Sequence, residues 1–234
     1  SPNDFILPIF LIDGNNKKQE ISTMPGVFRY TINRLSQVVD KAIKIGIPMV
    51  ALFPKTKISL KNELGSESLN EKNLVCRAIL EIKKRYKNQI GIMCDVALDP
   101  YTSHGHDGLI KSNKIINDET IKVLVNQSLL QAEMGCDVLA PSDMMDGRIG
   151  KIRKALDNNG FKEVKIKLYN NQLFEATRLS TKHPWVDIVS SSIVNNASIA
   201  GCSISFDDNV AIIVATPIPL SAPRVVPSAS IQSP

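Results

Sequence analysis

The sequence predicts an α/β protein, an incomplete (β/α)8 barrel of the TIM type, on three observations. Short apolar runs alternate with amphipathic stretches through the first two-thirds of the 234 residues. The apolar runs are nearly continuous, as in parallel strands buried on both faces. Each is followed by a stretch of helical period, and strand–helix–strand order implies a parallel sheet. About five such strands fit part of an eight-stranded barrel or a doubly wound sheet. The barrel is the preferred reading.

Residues 5–12 (FILPIFLI) read as a buried strand. Residues 31–45 place Ile32, Leu35, Val39, Ala42 and Ile43 on one helical face, with Gly46 as the stop. IPMVALF (47–53) is the second strand. Residues 70–86 put Leu74, Val75, Ala78, Ile79 and Ile82 on one face and end in a basic turn, which suits a helix C-terminus. IGIMCDVAL (90–98) is the third strand. A helix over 118–134 follows, with Asn117 or Asp118 as N-cap and Gly135 beyond its end. The fourth strand is 137–141, a short helix runs 147–159 to Gly160, and a fifth strand covers 164–168.

The last third changes character. Residues 167–234 hold 8 charged residues in 68, with 6 of the 13 prolines and 11 serines. The chain therefore divides into a barrel part (1–166) and an atypical Ser/Pro-rich tail (167–234) that suits an out-of-frame reading, an insertion or a decayed gene. Within that tail, 187–194 and 210–215 read as strands, and everything beyond Pro217 as an irregular terminus. The chain starts Ser1-Pro2 rather than with Met, the mark of a fragment or a processed product. Five barrel strands alone would leave an open, aggregation-prone edge.

Composition excludes several classes. At 43% hydrophobic and 22% charged, the chain is neither disordered nor fibrous. No apolar run approaches the roughly 20 residues of a membrane-spanning helix, so no membrane partner is expected. The +5 net charge is dispersed and accompanied by only seven Phe and four Tyr, which argues against nucleic acid. Four separated cysteines (Cys76, Cys94, Cys136, Cys202) with no CxxC pair read as reduced thiols of a cytoplasmic protein.

Two polar clusters follow strands. The first runs from Asp95 through Asp99, Tyr101, Ser103, His104 and His106 to Asp107. Loops at strand C-termini form the active face of a parallel barrel. Two carboxylates and two imidazoles between Asp99 and Asp107 could ligate a divalent ion, or the histidines could cap the loop. Asp95 lies within the strand, where an unpaired carboxylate is costly, so it meets a cation or moves a proton. The second cluster, Ala140 to Arg148, begins at the corresponding end of the next strand, so the two should share one pocket. Alternatively Ser142 or Asp143 caps the next helix while Met144 and Met145 are core. Strand-end clusters of this kind also suit other Schiff-base or metal-dependent barrel enzymes, such as aldolases.

DVALDPYTSHGHDG (95–108) followed by VLAPSDMMDGRIGKIRKAL (138–156) resembles the porphobilinogen synthase, or delta-aminolevulinic acid dehydratase, family. LPIFLIDG, MPGVFRY (24–30), GSES (65–68) and NDETIKVLVNQSLLQAEMGCD agree with it, so that the resemblance covers 1–166. It implies a (β/α)8 barrel that condenses two 5-aminolevulinate molecules into porphobilinogen on the path to haem, through two Schiff-base lysines. Such amines must be neutral to attack a ketone, and burial or a neighbouring cation lowers their pKa. The resemblance makes Asp95 the active-site aspartate and Ser142 the pocket serine. Zinc-dependent members carry three cysteines where this sequence has Ala97, Asp99 and Asp107. Hard carboxylates in place of thiolates imply Mg2+ at Asp99 and Asp107, or no metal, rather than zinc.

Departures from the family lie in the tail. Gln172 occupies the first lysine's position, and no VKPG segment supplies the second. The aromatic and arginine residues that hold the substrate carboxylate in the family are also missing. Lys165 and Lys167, on one side of the fifth strand, are the nearest candidates to replace the nucleophile. The expectation divides between a magnesium-type porphobilinogen synthase and a truncated, inactive relative. The family implies a homo-octamer, although its basic N-terminal arm has no counterpart in this sequence.

Overall fold

The structure, a computed structural model, describes residues 1–167. Its strands and helices in order are β1 (Ile6–Ile12), β2 (Lys18–Ile21), β3 (Met24–Tyr30), α1 (Ser36–Lys44), β4 (Met49–Lys55), α2 (Leu74–Tyr86), β5 (Gly91–Val96), β6 (Ile110–Lys111), β7 (Lys114–Ile115), α3 (Asn117–Glu133), β8 (Val138–Pro141), α4 (Arg148–Asn158) and β9 (Lys165–Ile166). Seven strands form one sheet in the order β2-β3-β1-β4-β5-β8-β9, while β6 and β7 make a separate small hairpin. All neighbours in the large sheet are parallel except β2 and β3. The five expected barrel strands are therefore β1, β4, β5, β8 and β9, and the barrel is not closed among the described residues. The candidate strands at 187–194 and 210–215, like Gln172, lie outside those residues.

The apolar runs became strands because both faces are covered. Met49, Val50, Ala51 and Leu52 of β4 are all buried, as are Ile92, Cys94 and Val96 of β5. Helix α2 closes one side of β1 and β4 with the five residues the periodicity identified, all of them buried. Burial of each larger aliphatic chain there contributes about 1.5–3 kcal/mol. Among the described residues, no helix is long and apolar enough to cross a membrane.

Four local features differ from the sequence expectation. The β2–β3 hairpin was not foreseen, because its half-exposed strands lack an apolar run. Glu20 Oε1 accepts the Gly26 amide at 2.8 Å, and the Lys18 ammonium sits 3.8 Å from the Phe28 ring centre. Of the helix expected from residue 31, Ile32–Arg34 form a 3-10 turn and the α-helix proper begins at Ser36; just before the turn, Thr31 Oγ1 accepts the Lys17 amide at 2.9 Å. Helix α2 starts four residues later than expected, with Asn73 Oδ1 accepting the Cys76 amide at 2.8 Å as its cap. Neither Asn117 nor Asp118 caps α3; the N-cap position is Ile116, and Asn117 Oδ1 accepts the Asp146 amide. At its other end α3 does stop where expected, with Gly135 at φ +104°.

Candidate active site

The register sets a row of side chains across the sheet. Phe10 pairs with Arg29 on one side and Phe53 on the other, and Asp95 pairs with Ala140. Carrying Leu52↔Cys94 and Leu139↔Ile166 forward one residue sets Phe53 beside Asp95 and Ala140 beside Lys167. Paired residues of parallel strands point to the same face, so these six share one. A cavity of about 570 Å³ opens over the C-terminal strand ends, lined by Phe10, Arg29, Phe53, Lys61, Asp95 and Asp99, with Lys55 and His104 among its other walls.

Ser142 Oγ donates to Asp95 Oδ1 at 2.7 Å, so the two clusters share one end of the sheet, although the cavity is lined by residues of the first cluster and by none of the second. Burial pushes the Asp95 carboxyl up to about 7; the Ser142 hydrogen bond opposes this, and the charges of Asp107 and Asp143 add to it. Asp99 is also pushed up to about 7, by burial and then by Asp95 and Asp107, with Lys61 opposing. Burial raises Asp107 as well, against the pull of His106. Three carboxylates that sense one another resist ionising together. A carboxyl poised near neutrality can take up and return a proton at physiological pH.

The scaffold behind the first cluster comes from α3. Gln131 Nε2 donates to the Asp95 carbonyl at 2.9 Å and Gln127 Nε2 to the Ala97 carbonyl at 3.2 Å. The loop is held by Thr102 Oγ1 on the His106 carbonyl, Ser103 N on the Asn62 carbonyl, and the His106 amide on His104 Nδ1. In the last of these the His104 ring caps the loop; among the described residues the His106 ring makes no such bond. Asp143 and Arg148 brace the second cluster: Asp143 Oδ1 accepts the Met145 amide, Arg148 Nε lies 3.1 Å from Asp143 Oδ2, and Arg148 Nη1 reaches the Met145 carbonyl. Neither Ser142 nor Asp143 caps α4, whose N-cap position is Gly147. Met145 is buried, but Met144 is 77% exposed and not core.

Asp99 and Asp107 were the expected magnesium ligands. Among the described residues, no three His, Cys, Asp or Glu side chains converge to hold a metal ion. A closed protein cage is thus not formed, and the oxygens present suit at most a hydrated hard cation. Cys76, Cys94 and Cys136 are free and buried, and burial raises Cys94 far above the usual thiol range, so it is no thiolate ligand.

Arg29, Phe10, Phe53 and Lys61 belong to the cavity although sequence reasoning passed them over. The one available signal was a charge inside MPGVFRY, at a position that alternation places with Val27 and Pro25. Lys167 shares the row's face, and burial depresses its amine below the ordinary lysine range. Lys165 Nζ lies 3.9 Å from Glu163.

A sequence profile described as Delta-aminolevulinic acid dehydratase matches residues 1–192, past the composition break at 166. A protein of that name from Bradyrhizobium diazoefficiens is 55% identical over 167 residues, which span 71% of this chain and 47% of the relative. One from Chlamydia pneumoniae is 45% identical over 170 residues, 73% of this chain and 51% of that protein. The crystal structure of the Toxoplasma gondii ME49 enzyme in complex with its reaction product porphobilinogen aligns with a TM-score of 0.70 and 36% identity, over 81% of this chain and 53% of that one. The chain thus spans about half the length of the curated relatives it matches.

Proposed function

The chain belongs to the delta-aminolevulinic acid dehydratase family, and we propose that it acts as a porphobilinogen synthase, condensing two 5-aminolevulinate molecules into porphobilinogen with loss of two waters. The observation that carries this reading is the hydrogen bond from Ser142 to Asp95, a residue that lines the cavity, on the positions where the family places its serine and aspartate. Dehydration and ring closure need protons moved repeatedly, and Asp95, near neutrality, can accept one and return it. Ser142 fixes which oxygen is presented. Magnesium is the metal we infer over zinc; Asp99 and Asp107 would supply hard oxygens while the ion kept most of its waters. Buried free thiols support a reducing cytoplasm, and the family supports a homo-oligomer.

Gln172 at the first lysine's position favours a second reading, an inactive relative that retains the binding half of the site. Intact-mass measurement after incubation with 5-aminolevulinate and borohydride separates them. A reduced adduct, together with porphobilinogen in the supernatant, supports the enzyme, and peptide mapping should begin with Lys167 and Lys165. An unmodified 25.7 kDa chain that makes no product removes the enzymatic reading.

A further inference from the structure

A second cleft, of about 510 Å³, lies beside the open end of the β2–β3 hairpin and shares no lining residue with the cavity at Asp95. Its walls are Ile12, Asn16, Lys17, Lys18, Gln19 and Arg34, with three cations and no acid among them. The cations are held in place. The buried Thr31 hydroxyl accepts the Lys17 amide at 2.9 Å and donates to Asn33 Oδ1 at 2.8 Å, while the Thr31 amide donates to the Lys17 carbonyl at 3.1 Å. Asn33 Oδ1 also accepts the Asn16 amide, and Arg34 Nε donates to Asn16 Oδ1 at 2.7 Å, which sets the plane of the guanidinium. The Phe28 ring carries the Lys18 ammonium without neutralising it. None of the three cations pairs with a carboxylate among the described residues. The adjoining acids, Asp13 and Glu20, are engaged elsewhere: Asp13 with Lys57 and Arg77 at 2.6 and 3.0 Å, and Glu20 Oε1 with the Gly26 amide.

Three like charges gathered in one hollow repel one another, and an anion placed between them removes the repulsion. Two ammonium groups act as point charges and the guanidinium as a planar fork, a set that surrounds the oxygens of linked phosphoryl groups better than one flat carboxylate. The hollow is concave and made by a few residues, which suits a compact ligand rather than the surface of a macromolecule. We propose that this cleft is a binding site for a small polyanion, a di- or triphosphate chain, with Arg34 on one phosphoryl group and Lys17 and Lys18 on the next. The assignment is independent of the porphobilinogen synthase reading.

The test is calorimetric titration of the full chain with inorganic tripolyphosphate, monophosphate and ATP at fixed ionic strength. Tripolyphosphate should bind at one per chain and at least about tenfold more tightly than monophosphate. Arg34→Gln, and Lys17→Gln with Lys18→Gln, should each weaken it by about tenfold or more. Lys41→Gln with Lys44→Gln removes the same charge from the exposed last turn of α1 and should change nothing. An equal loss in both lysine pairs would overturn the site, because net charge alone would then be read. Tripolyphosphate binding no more tightly than monophosphate to the unaltered chain would also overturn it, without depending on any variant's folding. ATP binding more tightly than tripolyphosphate would identify a nucleotide as the ligand, and equal or weaker binding the phosphate chain alone; both uphold the site. Binding of polyglutamate but not tripolyphosphate through the same three residues would overturn it in favour of a docking face for an acidic protein.

Discussion

Ser142 Oγ donates a 2.7 Å hydrogen bond to Asp95 Oδ1, joining the ends of β8 and β5 across 47 residues of chain. The bond favours the ionised carboxylate, against the burial that disfavours it. Removing the hydroxyl in Ser142→Ala should move Asp95 further above about 7. Carboxyl-carbon NMR titration of the two proteins measures this, and an unchanged or lower value would show that the bond does not tune Asp95.

The raised carboxyls also make stability depend on pH. Asp95 titrates near 7 when folded and near 3.8 when not. A raised folded value stabilises fully below the unfolded one, and the contribution is lost as pH rises through the folded one. The parent should therefore weaken between about pH 4 and pH 7. Asp95→Asn, which keeps an acceptor for Ser142, should flatten that slope and be more stable than the parent at pH 8. Urea midpoints from pH 4 to pH 8 give the comparison.

Asp137 is a hub between three elements. Lys83 of α2 donates to both its oxygens at 2.8 Å, and the Ile92 amide of β5 donates at 2.8 Å. Asp137→Ala strands a half-buried ammonium and a strand amide together, and should cost about 1–3 kcal/mol. Lys83→Met removes one partner and adds none, so it should cost less. The reverse order in urea unfolding would mean that packing of the lysine stem outweighs the polar contacts.

At Gly108 an added Cβ would stand 2.6 Å from Ile115 Cγ2 and 3.2 Å from Met145 Cε. Gly108→Ala should destabilise by about 1–3 kcal/mol through overpacking. Ile115→Ala removes the obstructing methyl from a half-exposed residue, so the double variant should recover much of the loss. A double-mutant cycle with no coupling would place the cost elsewhere.

Periodicity made the parallel frame legible. The apolar runs of β1, β4 and β5 and the 74–82 face of α2 need nothing but burial on a known side, and burial writes itself into residue order. The hairpin did not, because Lys18–Ile21 and Met24–Tyr30 are held by Glu20, Lys18 and the neighbouring β1 rather than by an apolar pattern. Caps failed in the same way: Asn117 is a good capping residue by type, yet the second cluster's loop competes for its side chain at Asp146.

The sequence by itself determined the strand–helix order and the family, because motifs and periods are local and survive in one dimension. Tertiary structure alone decided that Phe10, Arg29 and Phe53 share a row with Asp95, since inter-strand register joins residues far apart in the chain. It also decided the protonation of the carboxyls. Asp95, Asp99 and Asp107 are ordinary acids in sequence; the burial that raises all three, and the carboxylate repulsion that raises Asp95 and Asp99 further, exist only where the folded sheet brings them to one end.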